Sequence, residues 1–214
     1  KATHPTGQPS HWGLVAYFGD LLIGSTTRPD ASRRTHSVAT IREGAYWDNR
    51  PVVTSNSLFA FNRKTGQKRW HYVPKTGALL NPGFTIANDR VFLLESRNPK
   101  TLQEKSGRVT YTDFAESHGA DLVALNLQDG REEWRQTLRF PKGLQNGSLL
   151  CAGDILILQY SRNEKTVRYD TRAFDYRSGK LIWSQTQDNR NRAGGDHGEQ
   201  DHHPVVIGEK LIVE

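Results

Sequence analysis

Ala173-Phe174-Asp175-Tyr176-Arg177-Ser178-Gly179-Lys180-Leu181-Ile182-Trp183 is one of three copies of the same pattern in this chain. The others are Ala60-Phe61-Asn62-Arg63-Lys64-Thr65-Gly66-Gln67-Lys68-Arg69-Trp70 and Ala124-Leu125-Asn126-Leu127-Gln128-Asp129-Gly130-Arg131-Glu132-Glu133-Trp134. Without a gap, each reads Ala, a large apolar residue, Asn or Asp, two free positions, a small polar residue, Gly, three free positions, Trp. Internal repetition decides the architecture before any local propensity does. Each fixed position has a job. Gly permits φ > 0 in a tight turn. Asn or Asp bonds nearby backbone and starts that turn. Ala admits a close neighbour, and Trp buries a large ring while offering an N–H. The stretch reads as strand, turn, strand.

A second unit accompanies it. Apolar runs flank Gly19-Asp20, then Asn88-Asp89, then Gly153-Asp154, then Gly208-Glu209. Two apolar runs around such a pair predict a hairpin. No stretch holds a 3.6-residue apolar period over ten or more residues, so no long helix is expected.

Each unit thus has strands A and B in the apolar hairpin, and C and D around the Ala-to-Trp turn. Four short strands recurring at roughly 50 residues are the mark of a β-propeller blade. The expected fold is all-β: a β-propeller of four-stranded antiparallel blades, present as three blades plus half of a fourth. Residues 1–12 read as a lead-in and 13–214 as propeller, with blades at about 14–74, 83–138 and 148–187 and a partial one at 204–214. Propellers close on themselves, which protects their edges. The remaining blades are therefore the first expected partner, and the natural protein is expected to run beyond about 350 residues. The chain opens at Lys1 and holds no Met, which raises the same expectation of a processed or excised piece.

The long connections fall at one end of the blades. Those between B and C run from Thr26 to Asn56 and from Arg97 to Ala120, and the one between D and A runs from Asp188 to His203. In an up-and-down blade these share an end, while the A–B and C–D turns share the other. Insertions gathered at one end of a repeat array mark its binding surface. Tolerated surface loops are the plain alternative, because closure entropy grows slowly with length.

With 29 Lys and Arg against 23 Asp and Glu, the net charge is +6. The cations are scattered, with no run of five, so nucleic acid is not an expected partner. No apolar run nears 18 residues, so no transmembrane helix is expected; residues 1–12 do not read as a signal peptide. Cys151 is the single cysteine, so no disulfide forms within the chain. It sits in an apolar strand and reads as a buried, inert thiol. Asp20, Asp89 and Asp154 recur at one turn position and read as turn formers.

The three Ala-to-Trp stretches resemble the repeat of the pyrroloquinoline-quinone-type (quinoprotein-like) β-propellers, whose tryptophans dock between neighbouring blades. The resemblance covers most of residues 13–214 and is specific for the fold, less so for activity. That repeat occurs in quinone-dependent alcohol and sugar dehydrogenases, in the propeller lipoprotein of the outer-membrane protein assembly machinery, and in other exported bacterial propellers. The last group is the best match. It shares Gly194-Gly195-Asp196-His197-Gly198-Glu199-Gln200-Asp201-His202-His203-Pro204, Asn81-Pro82 before a strand, and Glu95-Ser96-Arg97-Asn98 after one. The resemblance implies a periplasmic or extracytoplasmic location. By the same resemblance, pyrroloquinoline quinone with calcium is the cofactor to consider. Against it, the vicinal Cys pair of the alcohol dehydrogenases has no counterpart here, and no Asp/Glu/Asn set matches their calcium site.

The sharpest constellation lies in 194–204. Asp196, His197, Glu199, Asp201, His202 and His203 are candidate ligands for Zn, Cu, Ni or Fe, though the spacing matches no established metal motif. Asp196, His197, Glu199 and His203 are equally candidates for holding a small polar ligand, or for fixing the loop. At least two of them are expected to share one pocket near the channel mouth. Glu116 and His118 are placed to approach them from the blade 2 loop. Arg28, Arg33, Arg34 and Arg42 make the blade 1 loop basic. The expected function is a non-catalytic binding or scaffolding propeller that uses its long-loop end for a protein partner or small polar ligand. A quinoprotein dehydrogenase and, more weakly, a metal-dependent enzyme built on the His197 loop are the alternatives.

Overall fold

Each repeated stretch folds as its residue types dictate. Asn62 Oδ1 accepts the Lys64 and Thr65 amides, Asn126 Oδ1 those of Gln128 and Asp129, and Asp175 Oδ1 that of Ser178. These Asx turns deliver Gly66, Gly130 and Gly179 to φ of +71°, +72° and +70°, a region nearly closed to side chains with a Cβ. The chain then returns so that Ala60, Ala124 and Ala173 pair across from Trp70, Trp134 and Trp183. All three alanines are fully buried.

The computed structural model describes residues 10–32, 51–192, 204–207 and 210–212. The first sheet has the order β1 (His11–Phe18), β2 (Leu21–Thr27), β4 (Ser57–Asn62), β5 (Lys68–Tyr72). The second contains β6 (Leu79–Ala87), β7 (Arg90–Ser96), β9 (Ala120–Asn126) and β10 (Glu132–Leu138). The third is β11 (Leu144–Ala152), β12 (Ile155–Asn163), β13 (Thr166–Asp175) and β14 (Leu181–Arg192). A hairpin of β15 (Val205–Ile207) and β16 (Lys210–Ile212) follows. All pairing is antiparallel, and the chain is an all-β propeller of four-stranded blades, present as three sheets and a hairpin.

Two features depart from the sequence reading. The second sheet is six-stranded: β3 (Val52–Ser55) leaves the first blade's long loop and pairs with β6, and β8 (Arg108–Val109) pairs with β3 in turn. The insertion after β7 also holds a short helix α1 (Lys100–Gln103) and a π-helical turn at Thr112–Glu116. Runs of two to five residues are too short for periodicity to register.

Strand alternation builds the cores. Val91 and Leu93 of β7 join Leu21, Ile23, Leu58 and Ala60 between the first two sheets. Phe92 and Leu94, one residue out of phase, join Leu156, Leu158 and Tyr160 between the second and third. One strand thus serves both interfaces, as a sheet covered on both faces requires.

The tryptophans fasten sheet to sheet. Trp70 of the first sheet is 5% exposed, and its Nε1 donates to the Leu127 carbonyl of the second at 2.9 Å. Its ring lies so close to Gly130 that a Cβ there would sit 2.7 Å from it. Trp134, partly buried, makes the same contacts one sheet on, with Nε1 donating to Tyr176 O at 3.0 Å and its ring 2.6 Å from a Cβ on Gly179. Trp183 is 38% exposed, and nothing lies within 4 Å of a Cβ built on Gly66. The turn aspartates contribute their carbonyls: Asp20, Asp89 and Asp154 accept the amides of Arg63, Leu127 and Tyr176, tying the A–B turn to the C–D turn in each blade.

Candidate functional site

At the end where the long connections emerge, a charged cluster joins the first two sheets. Glu95 is the penultimate residue of β7 and wholly buried. Its Oε2 accepts the Tyr72 hydroxyl at 2.6 Å and an Arg135 N–H at 3.1 Å, and its Oε1 accepts the Lys75 and Thr76 amides at 2.7 and 2.9 Å. Arg135 also donates to Asp121 at 2.8 Å and Glu132 at 3.0 Å. Lys75 reaches Glu132 at 2.8 Å and Arg97 approaches Asp121 at 3.6 Å. Three carboxylates thus face three cations. Buried charge persists only with such pairing.

The electrostatics follow from that packing. Burial, then the adjacent Glu95 carboxylate, pushes the Tyr72 phenol far above its usual range, so it stays a donor. Burial works against the Arg135 charge, but Glu132, Asp121 and Glu95 outweigh it and hold the guanidinium ionised. Burial also works against Glu132, and Arg135 with Lys75 still keeps its carboxyl below the ordinary value.

Asn81 and the Glu95–Asn98 segment, which carried part of the family resemblance, acquire roles. Asn81 lies within β6 at a register shift rather than ahead of the strand. Its Oδ1 accepts Leu14 N at 3.2 Å, Ser25 Oγ at 2.8 Å and Ser55 Oγ at 2.9 Å, joining β1, β2 and β3 to β6. Glu95 and Ser96 close β7 instead of following it. Ser96 Oγ donates to Phe114 O, and Asn98 Nδ2 donates to Asp113 O, so the insertion is pinned at its root.

The remaining candidates divide. Glu116 Oε1 accepts the Gly143 and Leu144 amides, both at 2.8 Å, fixing the link between the second and third sheets; the His197 segment it is expected to approach lies outside the described residues. His118 is exposed and bonds Ser117. Arg28 donates to Leu102 O at 2.9 Å, a structural contact across the loops. Cys151 is half-buried, and burial followed by Asp154 pushes its thiol up, away from thiolate chemistry. Asp196, His197, Glu199, Asp201, His202 and His203, with Arg33, Arg34 and Arg42, lie outside the described residues. Among the described residues, no three His, Cys, Asp or Glu side chains group as a metal would need. Calcium takes six to eight oxygens; Glu95, Asp121 and Glu132 are each engaged by cations or amides, so this cluster does not fit it.

Sequence reasoning missed the Glu95–Arg135 cluster. A signal was there: two residues on from Leu93, Glu95 must face the same interface as Leu93, and an inward acid requires a partner.

No helix among the described residues is long and apolar enough to cross a membrane. A family model for the outer membrane protein assembly factor BamB matches residues 26–213. The outer membrane protein assembly factor BamB of Burkholderia pseudomallei (strain K96243) is 25% identical over 156 residues, 71% of this chain and 34% of that protein. The chain thus spans about a third of the length of this curated relative. Among solved structures, BamB from Moraxella catarrhalis has a TM-score of 0.46 at 13% identity, covering 91% of this chain and 43% of that one. A quinohemoprotein alcohol dehydrogenase from Comamonas testosteroni has the same TM-score at 16% identity, covering 80% and 20%. With its model matching residues 26–213, most of the chain, this chain belongs to the outer membrane protein assembly factor BamB family.

Proposed function

We propose that the chain is a non-catalytic binding or scaffolding part of a periplasmic propeller, taking its protein partner on the long-loop end. One observation carries this reading: among the described residues, Glu95 and Glu116 at that end are engaged in fixing structure. Glu95 holds a hydroxyl, two amides and a guanidinium, and Glu116 holds two amides. Groups so engaged are unsuited to proton transfer and well suited to holding loops in one shape for recognition. The family's name supports a partner within outer-membrane protein assembly. Blades at about 14–74, 83–138 and 148–187, completed by further blades, belong to the same reading. We assign Asp196, His197, Glu199 and His203 the role of polar contacts to the partner or a small ligand, on their residue types alone.

The test is genetic and biochemical, on the full-length protein in its own host. Deletion is expected to lower the amount of folded β-barrel protein in the outer membrane, and the tagged protein is expected to co-purify with the assembly machinery. Unchanged barrel levels, together with alcohol or sugar oxidation on adding pyrroloquinoline quinone and calcium, would replace this reading with the dehydrogenase.

A further inference from the structure

Leu156, Leu158 and Tyr160 of β12 enter the core that the third sheet shares with the second. Gln159 and Ser161, one residue out of phase, face the other way. Ser148 of β11 and Thr171 of β13 pair directly with Gln159 across the ladder, so three adjacent strands set a neutral polar row on that face. Gln159 is 2% exposed, and neither its carboxamide oxygen nor its nitrogen has a hydrogen-bond partner among the described residues. Ser161 and Thr171 are buried beside it. A buried carboxamide with both ends unbonded is costly, and native folds leave few such groups.

The repeat shows what this position does elsewhere. Ser25, Leu94 and Gln159 each pair with the residue two before the repeated alanine, which is Leu58, Leu122 and Thr171 in turn. Ser25 Oγ donates at 2.8 Å to Asn81 Oδ1 of β6, the strand that begins the second sheet's inner hairpin. Leu94 shares an apolar core with Leu144 and Leu149 of β11, the strand that begins the third sheet. At each of these junctions the position meets the first strand of the following sheet, polar against polar and apolar against apolar.

We propose that Gln159 is a polar latch for a further sheet, whose first strand carries a carboxamide or hydroxyl side chain that bonds the Gln159 carboxamide as Asn81 bonds Ser25. The proposal rests on the reading that further blades complete the propeller, and it names the chemistry of the contact. A carboxamide has an acceptor oxygen and two donor hydrogens, so the partner that satisfies both ends has a donor and an acceptor of its own. The neutral row holds no charge to pair with a charged one.

The first test is a crystal structure of the full-length protein. A side-chain oxygen or nitrogen of the following strand is expected within about 2.7–3.2 Å of the Gln159 carboxamide. An apolar side chain there, or water alone, overturns the latch. The second test is thermal melting of full-length Gln159→Leu, which places at this position the residue type that Leu94 supplies in the second sheet. With its polar partner stranded, Tm is expected to fall by about 2–4 °C, as in Ser25→Ala. An unchanged or raised Tm overturns the latch, because the amide then had no partner to lose. If the variant fails to fold, the structure of the parent still decides. Acrylamide quenching of the Trp183 emission, taken as the difference between the parent and Trp183→Phe, tests the underlying reading separately. A shielded Trp183 with an unchanged Gln159→Leu Tm removes the latch alone. An accessible Trp183 removes the further sheet and the latch with it.

Discussion

Trp70 Nε1 stands 2.9 Å from the carbonyl oxygen of Leu127, and the Trp70 ring covers Gly130 three residues further on. One side chain thereby meets both the hydrogen-bonding and the steric condition of a single turn in the next sheet. Trp134 does the same to Tyr176 and Gly179. Ring, carbonyl and glycine form one contact unit between neighbouring sheets.

Two glycine substitutions separate the backbone part of this unit from the packing part. Gly66 and Gly130 share φ near +71° and +72°, yet a Cβ meets nothing at Gly66 and the Trp70 ring at Gly130. Gly66→Ala should cost about 1–2 kcal/mol for the left-handed backbone alone. Gly130→Ala should cost about 1–3 kcal/mol more, because the ring must shift. Urea unfolding of both variants checks this; equal losses would show that the ring is not held against the turn.

Tryptophan truncation should follow the same gradient. Trp70→Ala and Trp134→Ala should each cost about 3–5 kcal/mol, the range for emptying a large aromatic site. Trp183→Ala, at 38% exposure in this chain, should cost about 1 kcal/mol. Thermal melts on the three variants measure the order; parity between Trp183 and the other two would contradict the packing described.

Most of the fold was legible because its determinants are local and repeated. The Asx turn, the positive-φ glycine and the Ala–Trp pair need only eleven residues each, and all three copies behave alike. What was not legible depends on distant partners. Nothing near Val52–Ser55 announces that this segment pairs with β6, and Asn81 became a hub only because β1, β2 and β3 converge on it. The Glu116 contacts are of the same kind: the Gly143 and Leu144 amides that it accepts lie 27 and 28 residues away.

The buried cluster predicts a separation between removing charge and removing a hydroxyl. Glu95→Gln leaves Arg135 short of a counter-charge and should cost about 3–5 kcal/mol. Tyr72→Phe deletes one hydroxyl and should cost about 1–2 kcal/mol. The double variant should lose less than the sum, since Tyr72, Glu95 and Arg135 share contacts. Strict additivity in guanidinium unfolding would mean that the three do not act together.

Acid should weaken the same junction. Burial tends to raise the Glu132 carboxyl, but Arg135 and Lys75 hold it below the ordinary 4.5. A depressed folded-state value contributes stability that is present above the unfolded value and lost as pH falls through the folded one. Stability measured from pH 6 downward should therefore fall below about 4.5 in the parent, and more shallowly in Glu132→Gln. Identical profiles would show that this carboxylate is not paired in solution.

The most direct measurement for the functional account is site-specific photo-crosslinking of the full-length protein in intact cells. A photoreactive residue is placed at Lys105, His118 or Lys142 on the long-loop end, or at Lys64, Gln128 or Arg177 on the turn end; all six positions are exposed. The account predicts adducts with an outer-membrane assembly protein from the first three and none from the second. Adducts from the turn positions alone would contradict it.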